Sequence, residues 1–331
     1  MPHRVARFAI PAAILVLLIA ARPAAADTVY VTSFTTGELI SYDSANPAGT
    51  QTVLLPAGSI VQPSAVAVGP DGNLYIGENG DGSTYAPRIS KYEPATLTLS
   101  TVYPFAGFEV FPGSLVFQGT DLLIGRNPFF GNTGPIVKLE NATGGLLALS
   151  DYTAGGSLAS SPGLALAADG RLYVSDQTYN FISGIASGPV KRFDAAGSYV
   201  GEVIADGADG LAGPTGLVIN GTTLYTASIM NGSILQTDLT TDTTTAFATT
   251  GGPFEVGSLA LLSDGSLLAG SPSGSGNIYH FGTDGTLMST FASGLGQVGG
   301  IATVAVPEPA SASLVVCGLT AAGLLCRRQR E

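Results

Sequence analysis

Adjacent polar side chains of a kind that binds metals or ligands recur in the first half of the chain, as Glu78-Asn79, Arg126-Asn127 and Asp176-Gln177. Carboxylate and carboxamide oxygens are ligands that Ca²⁺ and other divalent cations take in proteins. The same groups, with an arginine among them, also hydrogen-bond polar ligands. The intervals of 48 residues (126 − 78) and 50 residues (176 − 126) suit equivalent places in successive repeats. These six residues are therefore the candidate binding site, and the identity of any metal stays unknown.

A structural role for the same residues is the competing interpretation. Polar residues at strand ends often satisfy buried backbone groups. An ion pair from Arg126 to Glu78 or Asp176 would then hold neighbouring repeats together. Their spacing does not require a metal, and both interpretations stay open on the sequence alone.

Other chemistry is limited by what the chain lacks between residues 27 and 305. Both cysteines, Cys317 and Cys326, fall near the C-terminus, and of the two histidines only His280 lies in this range. Thiol catalysis and disulfides are therefore excluded there, and Ser-His-Asp or histidine-zinc chemistry would all depend on one residue. The pattern around His280 predicts an ordinary position on the surface of a strand.

The elements that would position the candidate residues belong to a repeat. Ser64–Ile76 and Pro162–Val174 each read as an apolar strand, an Asp-Gly turn and a second apolar strand. Asp-Gly and Asn-Gly supply the positive-φ residues of tight hairpin turns. Variants of this unit recur at Gly113–Ile124, Thr215–Thr226 and Gly257–Ala269.

A third apolar strand and a fourth, threonine-rich strand follow each hairpin, giving four strands per repeat, as in a β-propeller blade. A sixth unit is split. Its last three strands are predicted at Asp27–Val31, Glu38–Tyr42 and Gln51–Leu55, and its first strand at Gly299–Val304. The sequence therefore predicts an all-β, six-bladed propeller over 27–305, closed by pairing of its N- and C-terminal strands.

Long loops between the second and third strands are predicted in blades 1 to 3, over Gly77–Pro87, Gly125–Pro135 and Ser175–Pro189. They carry the candidate site residues and, farther along, aromatic side chains: Tyr85, Phe129, Phe130, Tyr179 and Phe181. Because loops of one face meet at the channel mouth, this arrangement is expected to form a rim for a carbohydrate or peptide.

The N-terminal residues 1–26 have the pattern of a secretory signal peptide. Arg4 and Arg7 precede an apolar stretch from Phe8 to Ala21, and Ala24 and Ala26 form an A-x-A cleavage site. We expect export and removal of this segment, which involves the secretion machinery.

The C-terminal residues 306–331 combine a tripeptide, an apolar run and a basic tail. Pro307, Glu308 and Pro309 precede 17 uncharged residues, Ala310–Cys326. As a helix at about 1.5 Å per residue the run spans roughly 25 Å, a marginal transmembrane helix. The basic residues that follow, expected on the cytoplasmic side, are Arg327, Arg328 and Arg330.

This tail resembles the PEP-CTERM sorting signal of Gram-negative bacteria. The resemblance implies an exosortase as processing partner and a precursor held transiently in the inner membrane. It also implies a final location at the cell surface or in the extracellular matrix, as in a biofilm. Extracellular polysaccharide is a further candidate partner.

The charge of the segment 27–305 argues against nucleic acid as a partner. Seven of the 13 Lys and Arg and 22 of the 24 Asp and Glu fall there, so its net charge is 7 − 22 = −15. A phosphate-binding protein needs a basic footprint, which this segment lacks.

The repeat, with its Asp-Gly turn before Leu74-Tyr75-Ile76 and Leu172-Tyr173-Val174, resembles NHL repeats and is similar to gluconolactonase-like propellers. The latter resemblance implies a divalent metal at the channel mouth, although Pro162-Gly163 stands where those enzymes have Asn-Gly. We expect a protein without a cofactor that has a non-catalytic binding or scaffold role with polysaccharide or another protein. The alternative is a lactonase-like hydrolase or lyase that uses Ca²⁺ or another divalent cation with Glu78, Asn127 and Asp176.

Overall fold

The computed structural model describes residues 26–107, 110–127, 133–144 and 147–306. Within them the chain forms one compact unit, Asp27–Val306, with six four-stranded antiparallel sheets. The signal-peptide prediction, apart from Ala26, and the sorting motif at 307–331 lie outside the described residues. The described residues contain no helix with the length and hydropathy of a membrane span.

Each sheet is one blade, and four of the blades are built from consecutive strands. The three outer strands of blade 6 are β1 (Asp27–Ser33), β2 (Glu38–Asp43) and β3 (Thr52–Leu55). Blade 1 comprises β4 (Pro63–Val68), β5 (Leu74–Glu78), β6 (Arg88–Glu93) and β7 (Thr98–Pro104). Blade 2 comprises β8 (Pro112–Gln118), β9 (Asp121–Arg126), β10 (Val137–Glu140) and β11 (Ala148–Asp151).

Blade 3 carries an extra hairpin between its second and third blade strands. Its strands are β12 (Leu164–Leu166), β13 (Leu172–Ser175), β16 (Val190–Phe193) and β17 (Tyr199–Ile204), and the hairpin is β14 (Thr178–Asn180) with β15 (Ile185–Ser187). Blade 4 comprises β18 (Pro214–Asn220), β19 (Thr223–Ser228), β20 (Ser233–Asp238) and β21 (Thr243–Thr249). Blade 5 comprises β22 (Ser258–Leu261), β23 (Leu267–Gly270), β24 (Ile278–Phe281) and β25 (Leu287–Ala292).

The ring closes as predicted, because β26 (Val298–Ala305) joins blade 6 as its innermost strand. It pairs antiparallel with β1, from Asp27 opposite Ala305 to Ser33 opposite Val298. The first and last strands of the propeller therefore satisfy each other's edges.

Hydrophobic cores lie between the blades rather than within them. The second strands are apolar on both faces, and successive residues point to opposite sides of a strand. Thus Leu122 and Ile124 pack toward blade 1, whereas Leu123 packs toward blade 3. Six such clusters join neighbouring blades in the described residues.

The innermost strands approach so closely that glycine is required at some of their starts. A Cβ on Gly163 would overlap the Thr215 carbonyl oxygen, and one on Gly299 would overlap that of Pro63. These contacts bring each inner strand against that of the next blade and form a closed ring around a central channel.

The hairpin turns differ from the prediction in one respect. The glycines of these turns take positive φ, for example Gly72 at 76° and Gly170 at 85°. The preceding aspartates are not among the positive-φ residues. Instead, Asp71 and Asp169 accept a backbone N–H two residues ahead, an Asx-turn bond that stabilises the same reversal.

Candidate functional site

A cavity of about 520 Å³ opens at the mouth of the central channel. All six blades contribute to its wall. One part of the wall is apolar, formed by Phe34, Ile229, Phe254, Pro272 and Val298. Another part carries hydroxyl and carboxamide groups, from Ser64, Asn127, Thr215, Ser258, Ser273 and Gln297. The described residues that line it include none with a charged side chain.

One blade position divides the ring into two halves. It is the sixth residue counted from the start of the aligned second strands, here called the sixth position. Blades 1 to 3 carry carboxamides there, and blades 4 to 6 carry apolar side chains; in blade order the residues are Asn79, Asn127, Gln177, Ile229, Pro272 and Phe34. In four of the six blades this residue lines the cavity.

The residue just before it, the fifth position, contacts the connection from the preceding blade in blades 1 and 3 to 6. The Ser33 and Ser271 hydroxyls donate to carbonyl oxygens there, at 2.6 and 3.2 Å. Glu78, Asp176 and Ser228 accept backbone N–H groups at 2.7, 2.7 and 2.8 Å. Buried backbone groups need such partners, so the fifth position secures the inter-blade connections.

Glu78 is fully buried, and both of its carboxylate oxygens accept hydrogen bonds. Arg88 donates to both of its carboxylate oxygens at 2.9 and 2.8 Å, in a bidentate pair. Ser90 and the Val61 N–H also donate to this carboxylate. The hydrogen bonds that Arg88 donates to Glu78 raise the pKa of the Arg88 guanidinium. The Glu78 carboxylate therefore stabilises the backbone of the inter-blade connection, and Glu78 does not line the cavity.

Asp176 has a similar environment in blade 3. Its carboxylate forms an ion pair with Lys191 at 2.6 Å and accepts the Ala159 N–H at 2.7 Å. The ion pairs of Glu78 and Asp176 therefore run to lysine or arginine of the third strand in the same blade. The expected inter-blade pairs with Arg126 are not among the described ion pairs of either carboxylate.

Arg126 and Asn127 lie between these two residues in the ring. The Arg126 Nε donates to the Pro135 carbonyl at 2.9 Å, and its backbone N–H donates to Ser161 Oγ at 2.7 Å. Asn127 lines the cavity, and its backbone N–H donates to the Phe111 carbonyl at 2.8 Å. Of the six predicted site residues, Asn127 is the one that the structure places on the cavity wall.

Asn79 and Gln177 are buried carboxamides with unpaired atoms. Asn79 is fully buried, and neither its Oδ1 nor its Nδ2 has a hydrogen-bond partner among the described residues. The Gln177 Nε2 donates to the Pro214 carbonyl at 3.0 Å, but its Oε1 is unpaired. Each such buried atom costs about 1–3 kcal/mol. The Oγ of Ser258, a residue that lines the cavity, is also buried and unpaired among the described residues.

A hydroxyl cluster beside the cavity was not predicted from the sequence. The Glu255 carboxylate accepts hydroxyl donors from Ser273, Ser275 and Tyr279 at 3.2, 3.1 and 2.8 Å. Burial raises the pKa of Tyr279. In the sequence, the hydroxyl cluster is marked locally by the Ser-x-Ser-x-Ser run of residues 271–275. Serine-rich loops are too common for this run to predict such a cluster.

No three His, Cys, Asp or Glu residues come together as a metal site in the part of the chain that the structure describes. His280 lies on β24, in a third strand as predicted. Its Nε2 is 2.8 Å from Ser266 Oγ, at the Asp264-Gly265 turn of the same blade. Among the aromatics of the predicted rim, Tyr85 and Phe181 are exposed, whereas Phe129 and Phe130 lie outside the described residues.

Comparisons with known proteins support the fold. No protein-family model matches the chain, and no curated protein matches it either. A chain from the crystal structure of a nidogen–laminin complex is similar in structure, with a TM-score of 0.67 at 11% identity. The match covers 86% of this chain and 100% of that one. At this identity the likeness shows the fold alone: the chain is a six-bladed β-propeller.

Proposed function

We propose that this chain is an exported protein of the cell surface or extracellular matrix that binds an uncharged carbohydrate at its channel mouth without catalysis. The observation that carries the binding role is the cavity of about 520 Å³, whose described lining residues are apolar or carry hydroxyl or amide groups and include none with a charged side chain. This volume is within the usual range for small-molecule sites.

The chemistry of the wall favours a saccharide. A pyranose ring presents C–H groups on its faces and hydroxyl groups around its edge. Phe34 and Phe254 offer apolar surface for the faces, and the carboxamide of Gln297 offers a donor and an acceptor for the hydroxyls. The net charge of −15 (7 − 22) over residues 27–305 disfavours anionic polysaccharides.

Export and sorting rest on the two ends of the sequence. The signal-peptide pattern ending at Ala26 and the PEP-CTERM-like tail from Pro307 support secretion followed by exosortase processing. Both chain ends leave the propeller on the same side, because Asp27 pairs with Ala305. Val298 and Gly299, at the opposite end of β26, line the cavity, so the cavity lies at the end of β26 away from the Asp27–Ala305 pair.

The lactonase-like alternative has less support. It needs Glu78 and Asp176 as metal ligands or catalytic groups, and both carboxylates already bind cationic side chains and backbone N–H groups. Elemental analysis and melting temperatures with and without EDTA test it directly. A stoichiometric divalent ion, lost together with lactone turnover in Asp176→Asn, would favour the enzyme.

Binding of the purified full chain to a glycan panel tests the proposed function. The panel contains neutral glucan, mannan, galactan, xylan and chitin oligosaccharides, with alginate as an anionic comparison. We expect a neutral glycan to bind and alginate not to bind. Phe254→Ala should weaken binding about tenfold, the effect of losing about 1.4 kcal/mol.

Phe181→Ala is the matched control, because this phenylalanine is 64% exposed on the extra hairpin and does not line the cavity. It should leave the affinity unchanged. Weakening by Phe181→Ala but not by Phe254→Ala would move the site to the loop rim. No binding to any neutral glycan would overturn the proposed function.

A further inference from the structure

One residue of the cavity wall has a backbone conformation that its side chain disfavours. Phe254 has a φ of +60°, in the left-handed region. There the Cβ of an L-residue lies too close to a backbone carbonyl oxygen, and a bulky residue rarely adopts this conformation. Five other non-glycine residues in the described part of the chain have positive φ, and none of them lines the cavity. Such strain at a cavity wall points to a functional residue.

The packing of the core does not account for this strain. Phe254 is half-buried, and it belongs to none of the six hydrophobic clusters formed by the described residues. Val256, two residues later, is fully buried in the cluster between blades 4 and 5. Phe254 is therefore part of the cavity wall rather than of a core between blades.

Two hydrogen bonds hold the backbone of Phe254. Its N–H donates to the Ile229 carbonyl at 2.6 Å, and its carbonyl accepts the Ser271 hydroxyl at 3.2 Å. Ile229 follows the second strand of blade 4, and Ser271 follows that of blade 5. The backbone of Phe254 is therefore fixed to both of the blades that its segment connects.

The next residue, Glu255, fixes the same segment through its side chain. Its carboxylate accepts the hydroxyls of Ser273, Ser275 and Tyr279 at 3.2, 3.1 and 2.8 Å. The hydroxyls of Ser271, Ser273 and Ser275 also lie 2.7 to 3.0 Å from one another. Hydrogen bonds to a charged group are stronger than those between neutral groups. This network therefore opposes relaxation of the strained residue that precedes Glu255.

We propose that the apolar face of a bound sugar packs against Phe254, and that Glu255 is a positioning residue that keeps Phe254 in its strained conformation. This inference rests on the proposed function and deepens it, because it assigns affinity to a residue of the wall that is held by a residue outside the wall. Glu255 itself does not line the cavity. An aromatic side chain that is already fixed loses little conformational freedom when a ligand binds.

Alanine and glycine at position 254 test the strain and the contact together. Affinities are measured by titration calorimetry with maltotriose, mannotriose, galactotriose, xylotriose and chitotriose. Both variants lack the ring, so each should weaken binding of the trisaccharide that binds best about tenfold. Glycine adopts positive φ without strain and alanine does not, so Phe254→Gly should melt at a higher temperature than Phe254→Ala. The reverse order of melting temperatures would overturn the strain and with it the inference.

Leu97 is the matched control, because it is also a large apolar residue with positive φ, at +56°, and does not line the cavity. It is 70% exposed and lies between the third and fourth strands of blade 1. Leu97→Gly should likewise melt at a higher temperature than Leu97→Ala, and both variants should bind the trisaccharide with unchanged affinity. An equal loss of affinity at positions 97 and 254 would overturn the contact with Phe254.

Glu255→Ala tests the positioning role and should weaken trisaccharide binding at least fivefold. Glu255→Gln keeps a side chain that can hydrogen-bond the three hydroxyls, so its affinity should stay within twofold of that of the unaltered protein. In the Phe254→Ala background, Glu255→Ala should cause no further loss, because Glu255 acts through Phe254. A further loss of equal size in that background would overturn the positioning role.

The outcomes separate this inference from the proposed function. If a trisaccharide binds and Phe254→Ala weakens it but Glu255→Ala does not, the positioning role is overturned and carbohydrate binding stands. If none of the five trisaccharides binds, both fail. If Glu255→Ala does not fold, Tyr279→Phe replaces it, since it removes the 2.8 Å hydrogen bond to Glu255. It should weaken binding two- to threefold, and unchanged affinity would overturn the positioning role.

Discussion

Glu78 and Asp176 have the residue types of a metal site but the surroundings of structural groups. Each carboxylate accepts a backbone N–H of the inter-blade connection and binds a cation from its own third strand. The Glu78 side chain is 1% exposed, so its pair with Arg88 is shielded from water on the carboxylate side. Removing one partner of such a pair leaves the other charge buried without compensation.

We therefore expect Glu78→Gln to lower the free energy of unfolding by about 3 kcal/mol, as measured by urea denaturation. Glycan binding by the folded fraction should persist, because Glu78 does not line the cavity. Arg171→Gln is the control, since the Arg171–Asp169 pair has side chains 50% and 55% exposed. That variant should change stability by less than about 0.5 kcal/mol. Equal effects of the two variants would contradict the structural role of Glu78.

At the scale of elements, blade 5 links a hairpin turn to its third strand through polar side chains. Ser266 Oγ lies 2.6 Å from Asp264 Oδ1 and 2.8 Å from His280 Nε2. Burial lowers the pKa of His280 below its ordinary value of 6.5, although the Asp264 carboxylate opposes this shift. His280 is therefore neutral in the folded protein at neutral pH.

This shift predicts a loss of stability in mild acid. Between the folded pKa of His280 and its unfolded value near 6.5, the unfolded chain binds more protons, so stability rises with pH. The contribution of the neutral His280 to the free energy of unfolding is complete above the unfolded pKa. It is lost as pH falls toward the folded pKa. We expect His280→Gln to flatten this part of the pH profile in urea denaturation. An identical slope in both proteins would show that other groups cause it.

At the scale of the whole molecule, the ring is closed by blade 6, whose strands come from both the start and the end of the propeller segment. β26 and β1 come from opposite ends of the chain and pair along their length. Separating the two ends therefore requires breaking a strand pair as well as a side-chain interface. A ring of blades each made from one continuous segment would be closed by side-chain packing alone.

Circular permutation tests the closure. A short linker joins Ala305 to Asp27, and new termini open at Asp206–Gly207, between blades 3 and 4. Every blade is then continuous, and we expect a folded propeller with a lower urea midpoint. The control permutant opens at Thr241–Asp242, in the β20–β21 turn, and so keeps a split blade. Equal midpoints of the two permutants would show that strand exchange contributes no stability.

The sequence by itself determined the architecture. Apolar second strands, glycine turns and near-equal spacing are local features, and together they predicted six blades and the pairing of the chain ends. The extra hairpin β14–β15 escaped prediction, because its strands have three residues each and the apolar residues of its turn, Phe181 and Ile182, are exposed, 64% and 99%. That combination is common in loops as well as in strands.

The site was decided by the tertiary structure. Glu78, Asn79 and Asn127 are all polar in the sequence. In the structure Glu78 binds an inter-blade connection and Arg88, Asn79 is buried without a hydrogen-bond partner among the described residues, and Asn127 lines the cavity. The apolar wall from Phe34, Ile229 and Pro272 was not predicted, because these residues are far apart in the chain. Only closure of the ring brings these residues together around the central channel. The energetic role of a polar group depends on the side chains and backbone groups that this closure places beside it.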